Sequence, residues 1–517
     1  MNSANVTLRR PEAAQAQRWA DQLQGHLTAR VYPESFVVRQ GVTSCVYRLG
    51  VQRMMGLIWD SEKDTITEAF SGEPGQINLD GQMLNFKACP TDAANSTRLR
   101  EYFPFTRPTM AGLGKSFGCG DRLGISTPGH IMASRRHRGI FPILAQQSIR
   151  EMTRTNRAAQ EVMDDACWGV FQAGFDQPFG SDADHLKTLD DIETCVKAGF
   201  LMFTIDPGDH VDDGADTEPL EKLESKFETL PWDELESSPR ETVARYEKAV
   251  DLPTGTLDFS AEQVIRAAVK YGRAVAHTLG MYRRLVTLLG EGNFELEVSV
   301  DETATPTTPQ EHYYVASELR RLGVRWVSLA PRFVGEFEKG VDYIGDLGAF
   351  RAKFKQHAAI AKALGPYKMS IHSGSDKFSI YPIVAEIAGQ MVHVKTAGTS
   401  YLEALRVLSQ LETELFREIL DFARQRYETD RASYHVSAKL SRVPAAEALS
   451  DHQLPRLLDD FDAREVLHVT FGSVMTTATN GGVLRFRDRL IGSLTEHEEA
   501  YHQTLERHIG RHMELLK

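Results

Sequence analysis

Between about residues 115 and 400 the chain repeats one alternation eight times: a short apolar or alternating run, then a longer helical pattern. No other feature restricts the fold as much, because strand–helix–strand units in series build a parallel sheet covered by helices. The strand runs, in order, are KSFGCGDRL, FPILAQQ, FGSDADHLK, LMFTIDPGD, FELEVSVDE, RWVSLAPRF, YKMSIHSGS and MVHVKTAG. Helical patterns such as TNRAAQEVMDDACWGVF, TLDDIETCVKAGF, PQEHYYVASELRRLG and LGAFRAKFKQHAAIAKALG lie between them. Eight units over roughly 285 residues match a TIM-type (β/α)8 barrel of about 250 residues plus insertions. A doubly wound open sheet is the alternative, since strand count alone does not impose closure.

The flanks follow other rhythms. Residues 1–112 carry short strand-like runs (ESFVVRQ, SCVYRLG, MMGLIWD, QINLDGQMLNFKA) between turns rich in Gly, Asp and Asn, as in an antiparallel meander. They read as a small β-rich accessory domain ahead of a catalytic barrel over 113–415. Residues 416–517 read as a C-terminal helical extension. An acidic, Pro-containing stretch from about 209 to 257 lengthens the loop after the fourth strand, as a solvated excursion or as a lid.

Composition narrows the function classes. A hydrophobic fraction of 42% and a charged fraction of 25% are those of a globular protein. No run approaches the roughly 18–20 consecutive apolar residues of a membrane span, and the N-terminus lacks the apolar core of a secretory signal. The cysteines (Cys45, Cys89, Cys119, Cys167, Cys195) form no CxxC pair and suit reduced thiols in a cytoplasmic protein. A net charge of −12 argues against nucleic acid or an anionic membrane as partner. It leaves room for an anionic small molecule and for an oligomer. Gly118-x-Gly120-x-x-x-Gly124 lacks the spacing of a dinucleotide site, and Gly114-Lys115-Ser116 has Thr109 where a P-loop needs glycine, so neither NAD nor ATP is expected.

In a barrel strand alternate side chains point inward, and the active site gathers at the C-terminal ends of the strands. That period places Glu295, Glu297, Ser299 and Asp301 on one face of the fifth run and Lys368, Ser370 and His372 on one face of the seventh. It likewise groups His393 with Lys395 and Thr204 with Asp206, and puts Ser328 and Arg332 on one side of the sixth run. The third run adds Asp182, Asp184, His185 and Lys187. Inward charges on five strands are costly unless paired, metal-bound or solvated in a site, so they mark a catalytic cavity. Histidine and carboxylate donors without a Cys cluster suit a divalent transition metal. His185, Asp206, His210, His312 and His372 are the best-placed ligands.

The runs FGCGDRLGISTPGH, GSDADHLKT, FTIDPGDHVDD, SVDETATPTTPQEH, SLAPRFVGEFEKGVDYIGDL, SIHSGSDKFSIYP and HVKTAGTSYLEALRV resemble those of the tagaturonate–fructuronate epimerases, across about 115 to 410. The resemblance implies interconversion of D-tagaturonate and D-fructuronate, small ketouronates of hexuronate catabolism, with a divalent metal (Zn, Mn, Ni and Co are not distinguished). These sugars differ at a hydroxyl-bearing carbon β to the ketone, whose hydrogen the carbonyl does not acidify. Retro-aldol cleavage and reclosure can invert it, given a Lewis acid, a carboxylate acid/base and cations for the substrate carboxylate. On this reading His185, His312 and His372 bind the metal, with Asp206 or His210 as substitutes. Asp184 and Glu297 are the acid/base pair, with Asp301 in reserve. Arg122, Lys187, Arg332, Lys377 and Lys395 are candidates for substrate binding. A metal-dependent sugar-acid aldolase or ketose isomerase on the same barrel is the alternative, and a sugar-binding protein without turnover is the rival of another class.

Overall fold

The computed structural model describes residues 7–60 and 65–517, so the first six residues of the opening segment lie outside the described residues. Eight parallel strands close into a barrel in sequence order: β1 (Ser116–Cys119), β2 (Phe141–Ser148), β3 (Gly180–Leu186), β4 (Met202–Ile205), β5 (Glu295–Val300), β6 (Ser328–Pro331), β7 (Lys368–Ile371) and β8 (Val392–Thr396). Closure is made by β8 against β1, with Val394 opposite Phe117 and Lys395 opposite Gly118. The open-sheet alternative is thereby excluded.

The helices that cover the barrel are α1 (Thr127–Arg136), α2 (Ala159–Gln172), α3 (Leu189–Ala198), α4 (Ala261–Leu289), α5 (Pro309–Arg321), α6 (Leu347–Leu364), α7 (Tyr381–Ala388) and α8 (Thr399–Leu411). Their starts are written in the sequence. Thr308 accepts the N–H of Glu311 while Glu311 reaches back to the N–H of Thr308, and Pro309 fills the first helical position of α5. Thr188 with Asp191 and Ser260 with Gln263 make the same reciprocal cap on α3 and α4. The outward strand residues Leu296, Val298, Leu329, Met369, Ile371, Val392 and Val394 are buried against these helices in one continuous core.

The N-terminal strands form an antiparallel sheet of seven, packed on the helix Ala13–Leu27. Trp19 Nε1 donates to Asp80 Oδ2 at 2.7 Å, fixing that helix to a hairpin turn. The acidic insertion after β4 folds locally: the helices Leu220–Glu228 and Pro239–Tyr246 bury Leu223, Phe227 and Tyr246, and Lys270 of α4 holds Asp216 at 2.9 Å. Beyond α8, the helices α9 (Phe461–Val469) and α10 (Glu498–Leu515) return to the barrel. α10 packs on α1 and α8. Near its end the carbonyl of Leu516 accepts from Lys115 Nζ beside β1, and its first residue Glu498 accepts from Tyr32 of the N-terminal region at 2.8 Å. All five cysteines are free and buried. Among the described residues no helix is long and apolar enough to cross a membrane.

Candidate active site

Polar side chains fill the barrel in three layers. At the N-terminal end Glu295 accepts the backbone N–H groups of Ala111, at 2.9 Å, and Gly112, so the segment entering β1 forms the floor. Just above, Ser116 Oγ receives Lys368 Nζ at 3.0 Å and meets His393 Nδ1 at 2.9 Å. In the middle layer Lys395 Nζ lies 2.8 Å from Asp182 Oδ2, 2.7 Å from Asp184 Oδ1 and 2.7 Å from Glu297 Oε1. Thr204 donates to Asp182 at 3.0 Å, and Ser328 donates to Glu297. Burial works against the Lys395 ammonium, but its three carboxylates outweigh it and hold the group well above the usual lysine value. Burial pushes the Asp182 carboxyl up to about 6, with Asp184 and Glu297 adding to burial and Lys395 opposing it. Unpaired, any one of these charges would cost several kcal/mol to bury.

The upper layer holds Asp184, His185, Asp206, Asp301 and His372. Neighbours on a strand normally face opposite ways, yet Asp184 and His185 both reach the cavity. The β3–β4 register shifts between Ala183 and Leu186, and His185 has φ of 53°. Such an irregularity re-aims a side chain beside a site, and the left-handed backbone of a residue with a Cβ stores about 1–3 kcal/mol of strain.

Each histidine is gripped from behind. His185 Nδ1 lies 3.1 Å from Asp206 Oδ2, leaving Nε2 3.7 Å from Asp184 Oδ1. His372 Nε2 lies 2.7 Å from Glu297 Oε1, leaving Nδ1 3.4 Å from Asp301 Oδ2. The two rings meet edge to face at 4.9 Å. With one nitrogen on a carboxylate, the other is the one a metal would take, which is the arrangement metal-binding histidines adopt. Donor atoms of Asp184, His185 and His372 all lie within 4.8 Å of one another, and His185, Asp206 and Glu302 make an overlapping group. Before a metal binds, Nδ1 of His372 also holds a proton, which a metal would displace. Burial and Lys395 oppose that charge, but Asp301 and Glu297 outweigh them and raise the imidazole to about 10. Asp301 is likewise held below the carboxylate range despite burial, by His372 and His185. The centre therefore attracts positive charge.

Above it opens a cavity of about 390 Å³, with Asp184, His185, Asp301, His372 and Lys395 at its base. Arginines and Lys339 line its wall, and Tyr434 and His468 enter from the C-terminal extension. No residue of the acidic insertion 209–257 lines it.

Of the residues singled out in the sequence, Asp184, His185, Asp206, Glu297, Asp301, His372 and Lys395 are brought together here. Glu297 lies beneath His372, fully buried and not among the side chains that line the cavity. Arg122 lines the wall, gripped by Glu151 at 2.6 Å and stacked on Phe471 at 3.6 Å. Arg332 also lines it, bonded to the Thr303 carbonyl. Lys187 is half-exposed and pairs with Asp209 at 2.8 Å.

Three residues are elsewhere. His312 sits on α5, behind the barrel wall, with its ring nitrogens 2.9 Å from His357 Nδ1 and 2.7 Å from the Tyr367 hydroxyl. Burial and His357 hold it neutral, and both nitrogens are spent, so it is a core histidine. His210 is exposed and stacks on His277 at 4.1 Å. Lys377 donates to the carbonyls of Glu338, at 2.7 Å, Val341 and Ser375, and burial lowers its ammonium to about 7. It stitches two loops together. Sequence reasoning passed over Lys339, Arg154, Tyr434 and His468. The string EFEKG after β6 carried a usable signal for Lys339, a cation in a loop at the active end of a barrel; the others are placed by contacts distant in sequence.

The family model for tagaturonate epimerase matches residues 32–516. The tagaturonate/fructuronate epimerase of Thermotoga maritima is 45% identical over 434 residues, covering 84% of this chain and 87% of that protein. The solved structure of the fructuronate-tagaturonate epimerase UxaE from Cohnella laeviribosi, complexed with one glycerol, superposes with a TM-score of 0.88 at 36% identity, covering 97% of this chain and 99% of that one. Its native structure gives the same TM-score at 35% identity. A closed barrel, its flanking segments and nearly the full length are shared, and the chain belongs to the tagaturonate epimerase family.

Proposed function

We propose that this chain interconverts D-tagaturonate and D-fructuronate by opening and reclosing the carbon–carbon bond beside the inverted centre, at a metal site made by Asp184, His185 and His372. The observation that carries the reading is the pair of histidines, each with one nitrogen on a carboxylate and the other turned toward Asp184 or Asp301. Two imidazoles and a carboxylate suit a first-row divalent ion. Held there, it would supply Lewis acidity to an oxygen of the substrate.

The protein's own groups do the rest. Asp301, a carboxylate on the cavity surface, accepts the proton of the hydroxyl on the centre to be inverted. That carbon becomes an aldehyde as the adjacent C–C bond breaks, and the electron pair passes into the enediolate of the three-carbon ketone half. The aldehyde half turns, the bond reforms on its other face, and Asp301 returns the proton. Glu297 orients His372, Asp206 orients His185, and Lys395 balances the carboxylates below. No electrons leave the substrate, in keeping with the absent dinucleotide motif.

Proton NMR of D-fructuronate with metal-stripped protein, then with added Mn²⁺, Zn²⁺ or Ni²⁺, tests this. Tagaturonate is expected only with metal. Equal conversion by stripped protein would remove the metal, and no conversion by folded, metal-loaded protein would remove the reaction.

A further inference from the structure

The cavity has two poles. One holds the carboxylates and histidines of the base. The other is cationic, and most of its charge is already paired: Arg122 with Glu151 at 2.6 Å, Arg150 with Glu302 at 2.6 Å, Arg332 with Glu336 at 3.9 Å. Lys339 differs. No carboxylate among the described residues lies within ion-pair distance of its Nζ, whose hydrogen-bond partner is the Ser373 hydroxyl at 2.6 Å. Burial, with Arg150 nearby, pulls its ammonium below the usual lysine value, and Glu302, Asp301 and Glu151, beyond ion-pair distance, offset that only in part. A half-buried ammonium on a cavity wall, without a counter-ion and beside other cations, is unfavourable until an anion arrives. Arg154 is the cavity's other cation with no acid partner. Its guanidinium lies 4.4 Å over the Tyr434 ring and donates to the Ser433 hydroxyl at 2.7 Å, so it ties the C-terminal extension into the wall.

We propose that Lys339, assisted by Arg154 in the same cavity, is the counter-ion of the substrate carboxylate and retains the carboxylate-bearing half through inversion. The inference rests on the retro-aldol reading above and adds a consequence. When the bond opens, the carboxylate stays on the aldehyde half, two bonds from the aldehyde carbon. A clamp on the carboxylate lets the aldehyde turn about its bond to the neighbouring hydroxyl-bearing carbon while keeping the fragment in place. The ketone half is held at the opposite pole, so the halves cannot separate before the bond reforms. A cation at this place also selects an acidic sugar over its neutral counterpart, because the neutral sugar would leave the half-buried ammonium unpaired.

The test pairs turnover with binding. For Lys339→Met the KM for D-fructuronate should rise at least tenfold and a free three-carbon aldehyde acid should appear among the products, while Lys339→Arg recovers much of the loss. Calorimetric titration of metal-loaded protein with D-glycerate, which carries the carboxylate without the ketone, should show at least tenfold weaker binding to Lys339→Met and no change for glycerol. If Lys339→Met melts early, Lys339→Arg and Arg154→Gln carry the comparison, with Arg154→Gln weakening glycerate but not glycerol. KM and glycerate affinity within twofold of the parent overturn the clamp, and the family reaction stands. A parent protein that does not turn over fructuronate removes the reaction instead, and the glycerate titration still decides whether Lys339 is an anion site.

Discussion

Glu297→Gln is the sharpest perturbation of the centre, because it changes a charge without changing a shape. Oε1 of Glu297 receives both Lys395 and His372 at 2.7 Å, and Oε2 receives the Ser328 hydroxyl. In the amide, the oxygen keeps the first two contacts, and the Ser328 hydroxyl turns to accept from the new NH₂. Packing is preserved. What disappears is the negative charge that fixes the His372 proton on Nε2 and makes Nδ1 a strong donor toward the cavity. Loss of such a supporting carboxylate lowers metal affinity or turnover about 10–100-fold, equivalent to about 1.4–2.8 kcal/mol. The assay is metal affinity by competition with a chelator, alongside the metal dependence of fructuronate conversion and a thermal melt. A variant that melts with the parent yet keeps metal affinity and kcat within twofold would refute the role given to Glu297 and the orientation of His372 with it.

Other outcomes follow from the same geometry. His312→Ala should destabilise the fold by about 2–4 kcal/mol, since it opens a buried hole and strands His357 and Tyr367; melting will drop while metal affinity stays at the parent value. Glu465 of α9 is raised to about 8 by burial and by the Glu338 carboxyl, and both carboxyls accept the Ser437 backbone N–H. Its folded-state value lies above the ordinary 4.5, so its contribution is full below about pH 4.5 and is lost as pH rises through 8, at about 1.4 kcal/mol per unit. Melting between about pH 5 and about pH 9 should therefore slope downward more steeply in the parent than in Glu465→Gln.

The barrel was legible because two periods, strand and helix, alternate from KSFGC to MVHVK around one acidic insertion, and each of the eight strand runs between them is a barrel strand. Inward residues were legible for the same reason: Glu297, His372 and Lys395 follow from the twofold strand period alone. His185 does not. It reaches the cavity through a left-handed residue and a register shift, which no periodicity announces. His312 misled because it follows a polar loop at the active end of β5, yet it is the fourth residue of a capped helix, and that rotation turns it into the α5–α6 interface. Arg154 and His468 stayed hidden because their meeting point depends on the C-terminal extension docking on the barrel.

That docking bears on when the enzyme can first work. Arg122 lies just past β1, among the first parts of the barrel to leave the ribosome, whereas Tyr434 and His468, which share its cavity, emerge more than 300 residues later. α10 wedges against α1 and α8, and Lys115 grips the carbonyl of Leu516. A nascent chain can wind most of its barrel and still present an open, half-walled basin. Completion waits for residues 434–468 to be made and to dock, so a chain cut short before them is left with a gap in the cavity wall.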